Sequence, residues 1–180
     1  PRRRGDRPRA ARCRVVESLY SNSAYHGAAM CAAHIATELE AFLALVERKH
    51  GLTRSAIARR GCYLSHETGT HATPASSCAA NEIHALRQCF GADDLRRLVL
   101  VNTKCLTGHP MAVGVEDVVA ALALSRPRTP PPPCPAGTVV DEYFGGGLTL
   151  CGDGARPCSY ALRFAAGFGS QVAFVLYASA

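Results

Sequence analysis

The sequence predicts an α/β fold: helices layered over a mixed, mostly parallel sheet that ends in an antiparallel hairpin. Three observations carry this. Strand-like and helix-like stretches alternate along most of the chain. One strand-like stretch, Arg97 to Thr103 (RLVLVNT), is almost continuously apolar in the manner of a strand covered on both faces. The last twenty or so residues read as two strands around a glycine-containing turn, AAGFGS.

Taken in order, Arg12 to Asn22 (RCRVVESLYSN) has the β-branched and aromatic density of a strand, and SNSAYHG after it is loop. Ala28 to His50 is Ala-rich and places Ile35, Leu39, Phe42, Leu43 and Val46 at helical spacing, with Gly51 as the stop. TRSAIARR is read as a short helix and GCYLSHE as a short buried strand. Asn81 to Gly91 is a helix with a glycine stop, and VGVEDVVAALALS a second, more apolar one. RPRTPPPPCPAG lacks the donors that a helix or a central strand requires, so it is an extended surface connection. SYALRFAAGFGSQVAFVLYAS supplies the closing pair of strands, and its glycines permit backbone conformations that bulky residues resist.

A chain of 180 residues, 48% of them hydrophobic, is long enough for one domain with a sizeable core. The net charge of +6 is local. Residues 1 to 14 hold seven Arg and one Asp, and the remainder balances at 13 basic against 13 acidic. The expectation is a disordered basic arm over residues 1–10 and one domain over 11–180. A nucleic-acid face is not expected, because it needs its basic excess on the folded part. No apolar run approaches the ~18 residues of a membrane span, and no signal peptide is expected. The nine cysteines include no C-x-x-C, which argues against a disulfide framework or a four-ligand zinc site and for reduced thiols in the cytoplasm. The close pair in CGDGARPC is read as two cysteines flanking a loop, and Cys31 as a buried helix cysteine.

LSHETGTHATPASSC, Leu64 to Cys78, invites two chemistries. A zinc hydrolase helix carries its histidines at i and i+4, with a glutamate beside the first. Here His66 and His71 stand at i and i+5, about 500° apart on a helix, and Gly69 interrupts the stretch at a helix cost of roughly 1 kcal/mol. No metal is therefore expected on that pair. The other reading places His66 at the carboxyl end of a strand, with Thr68, Gly69 and Thr70 turning the chain beside a crevice. Forty-three residues on, a second strand ends in a polar loop bearing Lys104, Gly108 and His109 (NTKCLTGH), followed by an apolar helix.

With these segments in view, the sequence resembles the C-terminal half of a β-ketoacyl synthase, the thiolase-like condensing enzyme of fatty-acid and polyketide assembly. SHETGTH is similar to the family's His-Gly-Thr-Gly-Thr motif, and NTKCLTGHPMAVGVEDVVAALAL to its Lys-x-x-x-Gly-His motif and following helix. RPRTPPPP is similar to its proline-containing connection, and LRFAAGFGSQVAFVLY to its final hairpin. The resemblance runs from about Ala11 to the C-terminus. It implies an acyltransferase in which malonyl on an acyl carrier protein loses carbon dioxide and the enolate attacks an acyl thioester. His66 and His109 would be the neutral imidazole donors. Lys104 would favour the neutral histidine and orient an acidic partner, with Glu82 expected in that role. Phe168, between Gly167 and Gly169, would supply an oxyanion-hole N–H and a gating ring.

No cofactor is implied. The partners implied are the acyl carrier protein, an N-terminal ketosynthase half holding the nucleophilic cysteine, and a second copy in a homodimer; the chain alone is expected to be inactive. Glu67 stands where the family has glycine, and a carboxylate there would raise the His66 pKa. GFGSQV departs from the family's Gly-Gly-Thr-Asn continuation. His26, His34, His71 and His84 are read as surface or neighbouring histidines. Two other readings compete: a non-catalytic remnant kept for structure or dimerisation, and a zinc hydrolase.

Overall fold

The structure, a computed structural model, describes residues 11–24, 29–109, 114–126, 128–130, 142–150, 156–167 and 169–180. Alternation of apolar residues builds its centre. Strands β1 (Cys13–Asn22), β2 (Gly61–Leu64), β3 (Val99–Val101), β4 (Thr149–Leu150), β5 (Tyr160–Gly167) and β6 (Gln171–Ser179) form one sheet in the order β1-β6-β5-β2-β3-β4. The pairs β5–β2, β2–β3 and β3–β4 are parallel; β1–β6 and the closing hairpin β5–β6 are antiparallel. The sheet is thus mixed and mostly parallel, ending in the expected hairpin.

Because side chains of a strand alternate between faces, the central strands feed two cores. Tyr63, Leu162, Phe164, Phe174 and Leu176 pack toward helices α1 (Ala32–His50), α2 (Arg54–Arg60) and α3 (Cys78–Cys89). Cys62, Leu64, Val99, Val101 and Ala161 pack on the other side, with Ala120 and Leu124 of α6 (Val115–Ser125). Two short helices, α4 (Ala92–Leu95) and α5 (Lys104–Thr107), flank β3. No helix among the described residues is long and apolar enough to cross a membrane.

Element ends follow local chemistry. Gly51 stops α1 in the left-handed conformation (φ 62°) and donates its N–H to the Glu47 carbonyl. Helix α1 begins at Ala32 rather than Ala28, so Cys31 is a half-buried N-cap and not a cysteine inside a helix. Helix α3 begins at Cys78 rather than Asn81 because Ser77 Oγ accepts from Ala80 N at 3.0 Å. It ends at Phe90 in extended conformation, before the glycine expected to stop it. Strand β3 is three residues, shorter than RLVLVNT, because Asn102 and Thr103 already belong to the loop. The basic arm, most of the proline-rich connection, Cys151 and His26 lie outside the described residues.

Candidate active site

Parallel strands β2 and β3 end side by side, so the loops that follow them meet at one edge of the sheet. Ser65 N donates to Val101 O at 2.9 Å. Asn102 then fastens the two loops together: its Nδ2 donates to Glu67 O at 2.8 Å, and its Oδ1 accepts from Lys104 N at 2.8 Å. His66 and Lys104 are thereby brought together from sequence positions 38 apart.

Both are buried, His66 at 9% exposure and Lys104 at 6%. Lys104 Nζ donates to the His66 carbonyl at 2.9 Å and lies 2.9 Å from His66 Nδ1. An ammonium donating to Nδ1 leaves the ring proton on Nε2, so the imidazole presents an N–H on its far side. Burial, then the Lys104 charge and then that of Arg163 hold the His66 pKa down at about 3. Burial also lowers Lys104, against the opposing pull of Glu116. His109 stands edge-on to His66, with ring centroids 5.5 Å apart and planes at 83°. Gly108 makes this possible: it ends α5 at φ 71° and donates to Lys104 O at 2.8 Å.

Two expectations for the acidic residues are corrected here. Glu82, 2% exposed, does not orient Lys104 by contact. Its carboxylate accepts the His66 backbone N–H at 3.0 and 3.2 Å and the Ser65 hydroxyl at 3.2 Å, so it fixes the loop that carries His66. Burial raises its pKa to about 7. The acid nearest Lys104 is Glu116, on α6, at 4.0 Å; Glu116 in turn accepts from Arg163 Nη2 of β5 at 3.1 Å. Nor does Glu67 raise the His66 pKa. Its carboxylate turns away to accept Gly69 N and Ala79 N, each at 2.6 Å, at the start of α3, and the His66 pKa is lowered.

The remaining expected residues are distributed as follows. Gly69 adopts φ 66°, and the hydroxyls of Thr68 and Thr70 share a hydrogen bond of 2.8 Å. Gly167 ends β5, and Gly169 turns the hairpin at φ 78°. Phe168, with its oxyanion-hole and gating roles, lies outside the described residues. His66, His109, Lys104, Thr68, Thr70 and Gly167 line one cavity of about 880 Å³, joined by Arg163, Glu116, His71 and Cys78. His34 and His84 stay apart from it: His34 meets Ser21 and Glu38, and His84 meets Gln88.

Sequence reasoning missed Asn102, Glu116 and Arg163. Each had a signal. A charge inside the apolar pattern VGVEDVVAALAL, and another inside the strand YALRFAAG, are expensive to bury unless they meet, and they meet each other.

No family model matches the chain, and no curated protein matches it. Solved structures do. The ketosynthase from module 1 of the bacillaene synthase of Bacillus amyloliquefaciens superposes with a TM-score of 0.73 at 11% identity, over 93% of this chain and 30% of that one. A beta-ketoacyl synthase from Burkholderia phymatum gives 0.70 at 14% identity, over 93% and 38%. A type II polyketide synthase acyl-carrier protein in complex with its ketosynthase bound to the hexaketide also gives 0.70, at 16% identity, over 93% and 38%. The chain spans about a third of the length of these structures. With its mixed sheet, two helical layers and closing hairpin, the chain has the fold of part of these ketosynthase structures.

Proposed function

We propose that the chain is the histidine-bearing portion of a β-ketoacyl synthase, serving decarboxylative Claisen condensation in polyketide or fatty-acid assembly. The observation that carries this reading is the pairing of His66 and His109 at 5.5 Å over one cavity, with Lys104 on the inner nitrogen of His66. Two imidazoles at that separation reach a single oxygen between them. In the reaction, the bond from the malonyl Cα to its carboxylate breaks and carbon dioxide leaves. The electron pair moves into an enolate whose thioester oxygen accepts N–H bonds from both rings. The enolate carbon then attacks an acyl thioester, a carbon–carbon bond forms, and the acyl group's thiolate departs. A neutral His66 serves this charge development, because its donor is fixed before the reaction begins.

The nucleophilic cysteine that carries the acyl group is assigned to the remainder of a complete enzyme. Acyl carrier protein is the proposed source of the malonyl group; the carrier protein bound to one of the similar ketosynthases supports that partner. Assembly as a homodimer belongs to the same proposal.

Reconstitution tests it. This chain is combined with a nucleophile-bearing ketosynthase portion, and carbon dioxide release from malonyl-carrier protein is measured. His109→Ala is expected to lower the rate by about 10²–10³, the usual loss for one preorganised donor. An unchanged rate in the variant overturns the assignment.

A further inference from the structure

We propose that Glu67, His71 and Cys78 form a binding site for a zinc-class divalent cation on the wall of the same cavity. The ligand atoms of these three side chains all lie within 4.8 Å of one another, and His71 Nε2 is 3.2 Å from Cys78 Sγ. Three protein ligands of mixed nitrogen, sulfur and oxygen type, with a fourth position left open, are the pattern of a reactive zinc centre rather than a closed structural one. Zinc bonds of about 2.0–2.3 Å in a tetrahedron separate the ligands by about 3.3–3.8 Å. The cluster therefore closes on a metal by roughly 1 Å, and the exposed His71 sits on the loop that can make that movement.

The chemistry of the donors agrees. Glu67 uses one lone pair of each oxygen on Gly69 N and Ala79 N, and a carboxylate oxygen has a second to give. Those two bonds hold the carboxylate at the start of α3, where Cys78 is the first residue, so the two ligands are positioned by the same turn. Binding releases the thiol proton and forms a sulfur–metal bond, with no change of oxidation state.

His66 and His71 are not a pair in this site. His66 is instead held by Lys104, and His71 pairs with a cysteine seven residues on. His71 and Cys78 both line the cavity that His66 and His109 face, so the open position receives its fourth ligand from that cavity.

Cobalt(II) tests the site, because a cysteine ligand gives a thiolate-to-metal charge-transfer absorption. Titration of the purified chain is expected to give this band at one equivalent, with zinc displacing the cobalt. Cys78→Ser is expected to abolish the band, and His71→Ala, a change at an exposed loop residue, to weaken cobalt affinity at least about tenfold, as loss of a ligand or its support does. Absence of the band in the unaltered chain overturns the proposal. So does undiminished binding in His71→Ala, which decides the matter should Cys78→Ser fail to fold. The readout is metal and not condensation, so failure here leaves the proposed function standing.

Discussion

His66 occupies an unusual place for a titratable group, and its neutrality follows from position alone. Burial and two neighbouring cations hold its pKa near 3, against 6.5 in an unfolded chain. Between those values the unfolded state binds a proton that the folded state excludes, so this residue's contribution is intact above pH 6.5 and is lost as pH falls toward 3. Glu82 acts in the opposite sense. Its folded pKa of about 7 lies above the usual 4.5, so its contribution is present below pH 4.5 and is lost as pH rises through 7. The two partly offset each other in mildly acid solution, and only a difference measurement separates them. Urea unfolding of the chain and of His66→Asn across pH 4 to 8 (about one unit per step) provides it. The stability difference between them is expected to shift against the unaltered chain as pH drops below 6.5. A difference independent of pH would show that the ring is protonated freely in the folded protein.

At the scale of elements, the order of strands and helices was legible because each carries its own periodicity. Residues 13–22, 160–167 and 171–179 alternate like strands and became strands, and Ile35, Leu39, Phe42, Leu43 and Val46 of α1 are all buried. The errors lie at ends, where side chains bind backbone groups. Ser77 moved the start of α3, and Asn102 cut β3 short to tie two loops together. The partnership of Glu116 with Arg163 was illegible for another reason: it joins α6 to β5 across 47 residues, and no local pattern encodes which buried charge meets which.

Arg54 shows the same kind of long-range fastening. Its guanidinium donates to Glu40 and Glu47 of α1 and, at 2.7 Å, to the Cys89 carbonyl at the end of α3, so one side chain at the start of α2 holds three helices. These charge-assisted bonds raise the guanidinium pKa and lower both carboxylates. Arg54→Met keeps much of the stem packing and removes every one of these bonds. The expected cost is about 2 kcal/mol, reduced from a fully buried network by partial solvent screening, and it is read from the urea midpoint at constant slope. A loss below about 0.3 kcal/mol would place the network among ordinary surface ion pairs.

Across the whole molecule, the site rests on two structures of different character. A line of rings runs from Phe42 of α1 through Phe174 and Phe164 to His66, with centroid spacings of 5.9, 5.0 and 6.2 Å, so the face carrying α1 positions the imidazole by packing. The face carrying α6 positions Lys104 by charge. Glu116 and Arg163, with side chains 4% and 7% exposed, sit where α6, β5 and α5 converge. Glu116 Oε1 and Arg163 Nε and Nη1 have no hydrogen-bond partner among the described residues, so this cluster is held more by Coulomb attraction than by complete pairing. Removing Glu116 alone leaves Arg163 and Lys104 as facing buried cations, whereas removing Glu116 and Arg163 together leaves only Lys104 without its acid, and Asp117 without the Arg163 Nε that lies 3.7 Å from it. Glu116→Leu and Arg163→Met are therefore each expected to destabilise the chain by about 3–5 kcal/mol, while the double variant loses less than the sum of the two because the pair is removed together. Equilibrium unfolding of the four proteins measures the coupling. Simple addition of the two single losses would mean that each charge is anchored by something other than its partner. Near-parental stability in the double variant would instead identify the pair as a device for placing Lys104, retained for the site at little net benefit to the fold.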